Sequence, residues 1–143
     1  MAYTFLEDVA IADMAFEATG KTLEELFSSA ADATMNAMVD DLSTIQRTTQ
    51  QAVKVEAEAA DLLLVNFLQE VIYYKDAQRL LLRPERLQIE QRDRHLTLQA
   101  SLSGEPINPE KHALRVDVKA VTFHRLKVAQ TAKGWEAMVI LDI

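Results

Sequence analysis

The sequence predicts an α+β fold, with two helices packed on a mainly antiparallel β-sheet, in one compact domain covering residues 1–143. Three observations predict it. Apolar residues recur at helical spacing from Leu23 to Met38 and again from Leu62 to Ile72. Apolar and polar residues alternate strictly at Leu96, Leu98, Ala100 and Leu102, the period of a half-buried strand. The 143 residues suit a single core, because one-domain chains cluster near ~100–150 residues.

The elements follow in order. Residues 3–20 read as a strand, a loop and a short strand near Ala15–Thr19, closed by Gly20. Thr22-Leu23-Glu24-Glu25 matches a capping box, in which the threonine hydroxyl accepts from the third helical amide and the glutamate reaches back. Leu23, Leu26, Phe27, Ala30, Thr34, Ala37 and Met38 then define a helix over 22–39. Its acidic start suits the macrodipole, whereas Asp40-Asp41 does not suit its end, so the helix stops by then. Val53 and Val55 alternate with Lys54 and Glu56 in a strand over 44–56. A second helix over 58–75 carries Leu62, Val65, Leu68 and Ile72 in line, widened by Leu64, Phe67 and Val71. Leu87 and Ile89 lead through a polar turn at Arg92–Arg94 into the alternating strand, forming a hairpin. Gly104 to His112, with two prolines, reads as a loop, and 116–124 and 126–129 as extended. Lys133-Gly134 is a turn. The last strand, Trp135 to Ile143, is apolar on both faces and therefore reads as central.

Composition excludes several classes. Hydrophobic residues at 49% and charged residues at 26% describe a globular protein, not a disordered one. There is no cysteine, so disulfides, thiolate zinc sites and cysteine nucleophiles are ruled out. The opening residues have neither the basic nor the apolar region of a secretory signal, and the stretch from Leu62 to Tyr74 is broken by Asn66, Gln69 and Glu70. The expectation is a cytoplasmic protein with no membrane partner. A net charge of −7 opposes long-range attraction to nucleic acid. The densest basic stretches, Arg79–Arg86 and Arg92–His95, are diluted by acids and leucines. An acidic protein can still serve an RNA pathway by binding a basic RNA-processing enzyme. Three glycines cannot build a phosphate-cradling loop, and His95, His112 and His124 have no zinc-like spacing.

Two aspartates stand out. Asp142 lies in a near-continuous apolar run beside the Ile143 carboxylate, and two hard oxygen donors this close suit calcium, magnesium or manganese. The alternative is an aspartate pointing into water where the strand frays. Asp13, within Ala10–Ala15, could add a third oxygen ligand or be a turn or cap aspartate. Lys119 and His124 flank Ala120–Phe123. A lysine beside carboxylates can bind phosphate or balance charge, whereas a strand histidine is commonly structural.

These residues resemble a known family. Lys119-Ala120-Val121-Thr122-Phe123-His124, followed by a Trp135-led strand ending Val139-Ile140-Leu141-Asp142-Ile143, resembles the C-terminal signature of the archeases. Gly104-Glu105 with His112, the helix Asp61–Glu70 with Phe67 in place of a common tryptophan, Ala12-Asp13 with Gly20, and Thr22–Phe27 are similar to other parts of that family. The family's Asp-His-Thr-Ala-Asp departs here to Asp8-Val9-Ala10-Ile11-Ala12-Asp13. The histidine and threonine are absent, and Asp8 stands one residue farther from Asp13. The resemblance implies an accessory protein, not an enzyme, with no catalytic residues of its own. It implies promotion of guanylylation and turnover of an RtcB-type tRNA-splicing RNA ligase, with tRNA met indirectly through that ligase. It implies a divalent-cation site, calcium first, held by Asp13, Asp142 and Ile143, and partner-binding roles for Lys119, His124 and Asp8. The rival expectations are a small metal-dependent hydrolase acting on nucleotides or RNA, and a chaperone-like partner without metal.

Overall fold

The structure, a computed structural model, describes residues 2–6 and 13–143. Among them the chain runs β1 (Tyr3–Leu6), β2 (Asp13–Gly20), α1 (Leu23–Met38), a short 3₁₀ turn (Leu42–Thr44), β3 (Thr49–Ala57), α2 (Ala60–Gln78), β4 (Leu80–Arg92), β5 (His95–Pro106), β6 (Ala120–Val121), β7 (Lys127–Thr131) and β8 (Gly134–Asp142). The expected α+β fold with two helices is what is seen. The strands divide into two antiparallel sheets.

In the first sheet β8 is central, as its two apolar faces predict. It pairs with β2 on one edge and with β6 and β7 on the other, and β1 lies outside β2. In the second sheet β5 lies between β3 and β4. Helix α1 packs on β1, β2 and β8 and also on β4; α2 packs on the second sheet, on α1 and on β6 and β7. This double contact explains the composition of α1. Ala30, Ala31, Ala33 and Ala37 are all buried, because small side chains let both sheets approach one helix. The helices meet at Phe27 and Phe67, whose rings stack with centroids 6.1 Å apart.

Local chemistry sets the boundaries. The Glu25 amide donates to Thr22 Oγ1 at 3.1 Å, as the capping box predicts. The Glu25 carboxylate accepts from the Lys21 amide at 2.7 Å, one residue before the box's usual partner. At the other end, the amides of Arg115 and Val116 donate to Met38 O and Ala37 O, satisfying carbonyls that a helix end leaves open. In the stretch expected as extended over 116–124, the amides of Val116, Lys119 and Thr122 go to Ala37, Asp142 and Ile140, and only Ala120–Val121 joins a sheet ladder. The strand expected over 44–56 begins at Thr49, because Asp41 accepts from the Ser43 amide and hydroxyl and turns the chain. The loop expected from Gly104 to His112 is strand through Pro106, paired with Leu80–Leu82 of β4. Pro84, which has no amide to donate, sits on β4, an edge strand, beside a register shift.

Candidate functional site

Strands β2 and β8 align so that Asp13 is the Cα partner of Asp142. Residues directly opposite in an antiparallel pair share a face, with Cβ atoms about 4.5–5.5 Å apart. Two partly buried carboxylates therefore stand side by side at the end of the strand pair. Neither takes part in an ion pair among the described residues. Like charges placed this way repel, and a cation between them would reverse the sign of that interaction.

On the other edge of Asp142 stands Ala120, its Cα partner in β6. The Lys119 amide donates to Asp142 O at 2.8 Å, so the segment bearing exposed Lys119 is tied to the main chain of the aspartate. The fold thus brings together Asp13 and Asp142, with Ile143 adjoining, and sets the Lys119 main chain beside them. It does not bring His124 to the same place. His124 is exposed in the turn between β6 and β7, and the register sets that turn alongside Met138–Ile140. The expected residue Asp8 lies outside the described residues.

The donor set fits a hard cation. No three His, Cys, Asp or Glu side chains gather as a metal-holding group among the described residues. The pair supplies two carboxylates, and the expected third donor is the Ile143 carboxylate. Calcium takes roughly 6–8 oxygens, so such a set leaves coordination positions for solvent or for a partner's oxygens.

Two polar clusters are not foreseen by the sequence reading. Glu105 accepts from Lys111 Nζ at 2.7 and 2.9 Å and from the Gln46 amide at 2.7 Å, and its carboxylate meets His112 Nε2 at 3.0 Å. His112, 1% exposed, accepts the Asn108 amide at Nδ1, so its proton resides on Nε2 and points at Glu105. The Lys111 hydrogen bond foremost, then the Gln46 amide, against an opposing effect of burial, hold the Glu105 carboxyl down at about 2. This histidine from the family-like motif is structural, because it fastens the chain after β5. The second cluster centres on Lys75, 6% exposed, whose Nζ donates to Asp76 and Asp117 and, at 3.0 Å, to Val118 O. Burial works against its charge, but the hydrogen bonds and charges of Asp117 and Asp76 outweigh it and raise its pKa. A signal is present in the sequence, since Lys75 falls on the helical line of Leu64, Leu68 and Val71. Phe123 is 65% exposed, between Thr122 and His124 in the turn after β6.

Fold and site together define a class: a small α+β domain with an acidic pair at the end of its central strand. The chain belongs to the archease protein family (MTH1598/TM1083), whose model matches residues 3–143. Its relatives include protein archease of Methanosarcina mazei, 32% identical over 99% of this chain and 95% of that protein. Protein archease of Pyrococcus furiosus is 34% identical over 92% of this chain and 93% of that protein. Among solved structures, Methanobacterium thermoautotrophicum protein 1598 is 34% identical and superposes with a TM-score of 0.85, covering 99% of each chain. A Thermotoga maritima protein described as an archease and possible chaperone shares the fold at a TM-score of 0.63 and 18% identity, covering 96% of this chain and 97% of that one. Among the described residues, no helix is long and apolar enough to cross a membrane.

Proposed function

We propose that this protein is a non-enzymatic accessory factor of an RtcB-type tRNA-splicing RNA ligase, promoting its guanylylation and multiple turnover and meeting tRNA only through the ligase. Membership of the archease family supports the reading. The observation that carries it is the Asp13–Asp142 cross-strand pair at the strand end. In this reading Asp13, Asp142 and the Ile143 carboxylate hold a divalent cation, calcium first and magnesium or manganese as alternatives. When bound, the cation supplies positive charge with open coordination positions that can accept phosphate oxygens. The chain's own residues do the rest. The β2–β8 ladder holds the two carboxylates in register, and Lys119 offers a further cation for phosphate or for charge balance. His124 contacts the partner from the neighbouring turn. The accessory protein acts on the ligase only through a difference in affinity for its states, favouring the one competent for guanylylation.

The test is the rate of ligase guanylylation with GTP and manganese, with sub-stoichiometric amounts of this protein. Wild type is expected to accelerate it over many turnovers. Asp142→Asn, close in shape, is expected to abolish stimulation and calcium binding measured by calorimetry while leaving the circular dichroism spectrum unchanged. A variant that stimulates like wild type sinks the tip reading. Hydrolysis of GTP or RNA by the protein alone would favour the metal-dependent hydrolase. Full stimulation without any cation binding would favour the metal-free chaperone-like partner.

A further inference from the structure

Strand β6 is two residues long, yet it forms the edge beside Asp142. A ladder this short does not hold itself, because two residues gain little for the backbone freedom they lose. It is clamped from both ends. Beyond Val121, the Thr122 amide and hydroxyl donate to Ile140 O at 3.0 and 2.9 Å. Before Ala120, Val118 is fully buried and its carbonyl accepts from Lys75 Nζ at 3.0 Å. The Val118 carbonyl and the Lys119 amide belong to one peptide group, and that amide donates to Asp142 O at 2.8 Å. A cationic donor on the carbonyl polarises the peptide and strengthens the bond its N–H makes.

We propose that Lys75 is a positioning residue for the acidic tip: the ammonium of α2 orients the Val118–Lys119 peptide, and that peptide fixes the main chain of Asp142. The inference rests on the tip reading for its functional meaning, and on hydrogen bonds alone for its physical content. Asp76 and Asp117 also accept from the ammonium. Their side chains are 53% and 69% exposed, so both can hydrate when the lysine is replaced. Lys75→Met therefore leaves no buried lone charge and keeps an unbranched apolar stem in the same place, so the variant folds.

Hydrogen exchange of the cation-free protein reads the relay directly. In Lys75→Met the Lys119 amide is expected to exchange about tenfold faster, the loss of one charge-assisted hydrogen bond, with the amide of Ala33 in α1 unchanged. Calcium affinity is expected to fall about threefold to tenfold, less than the roughly 10–100-fold of losing a direct partner of a metal ligand. Lys75→Arg, which restores a cationic donor, is expected to recover the slow exchange of Lys119. An unchanged Lys119 rate in Lys75→Met, or equal acceleration at Ala33, overturns the relay. If wild type binds no calcium, the tip reading fails by itself, while the exchange rates still decide whether Lys75 orients this peptide.

Discussion

Glu105 shows how a single side chain ties distant segments together and gives stability a pH dependence. It bonds Lys111, His112 and the Gln46 amide at once, and these partners favour its charged form. Its folded pKa is lowered from 4.5 to about 2, so its contribution is fully present above about pH 4.5 and is lost as pH falls from there towards 2. Glu105→Gln is expected to lower the urea midpoint at pH 7 and to flatten its decline between pH 4.5 and 2. Denaturant titrations of both proteins across that range check it; parallel pH profiles would remove Glu105 from the account. The same scale holds the acidic pair. Two carboxylates that the sequence separates by more than a hundred residues become nearest cross-strand neighbours. Each stands out alone as a carboxylate in an apolar run. The family resemblance implies that they share one site, but residue patterns alone do not show it, because adjacency depends on the register of β2 on β8.

Elements were legible where local chemistry and periodicity agree. The α1 start was written in Thr22 and Glu25, and α2 in its wide apolar face. The central place of β8 was written in its two apolar faces. Elements were misread where another element supplies the hydrogen bonds. The stretch before β6, expected as extended, forms no ladder of its own: the Val116 amide completes the end of α1 and the Lys119 amide goes to Asp142. The tail of β5 was expected as loop because it holds glycine and proline. Gly104 is instead there for contact: a Cβ added to it would stand 1.7 Å from Leu81 O on β4. Gly104→Ala must push these strands apart, at a cost of about 3 kcal/mol, the upper end for overpacking. Chemical denaturation checks this, and a loss under about 0.5 kcal/mol, the size of an ordinary surface change, would mean the strands are not packed as described. Arg83 of β4 and Asp32 of α1 add a two-pronged ion pair at 3.0 and 3.2 Å that ties this strand to the helix.

At the scale of the whole molecule, both sheets and both helices share one cluster of buried apolar residues, from Phe16 and Val139 to Leu98 and Leu102. Helix α1 touches both sheets, so neither sheet keeps its inner face covered if the other is lost. One cooperative transition is therefore expected. Unfolding followed by Trp135 fluorescence, beside the β7–β8 turn of the first sheet, should coincide with unfolding followed by far-ultraviolet circular dichroism. Separate midpoints would mean that the sheets are independent units. The shared core also places the acidic pair at a sheet end, where a partner can reach it, and sets Lys75 between the helix layer and the edge strand that borders it.

The sequence by itself determined the class of fold, both helices, the β4–β5 hairpin, the central last strand and the suspicion attached to Asp13 and Asp142. These follow from periodicity, capping and the cost of a carboxylate among apolar residues, all of which act over a few residues. Only the tertiary structure decided that the strands form two sheets, which register sets Asp13 opposite Asp142, that His124 stands apart from them, and that Lys75 holds the peptide beside them. Those outcomes depend on strand register and on hydrogen bonds between segments far apart in the chain, and no local pattern encodes which distant carbonyl an amide will meet.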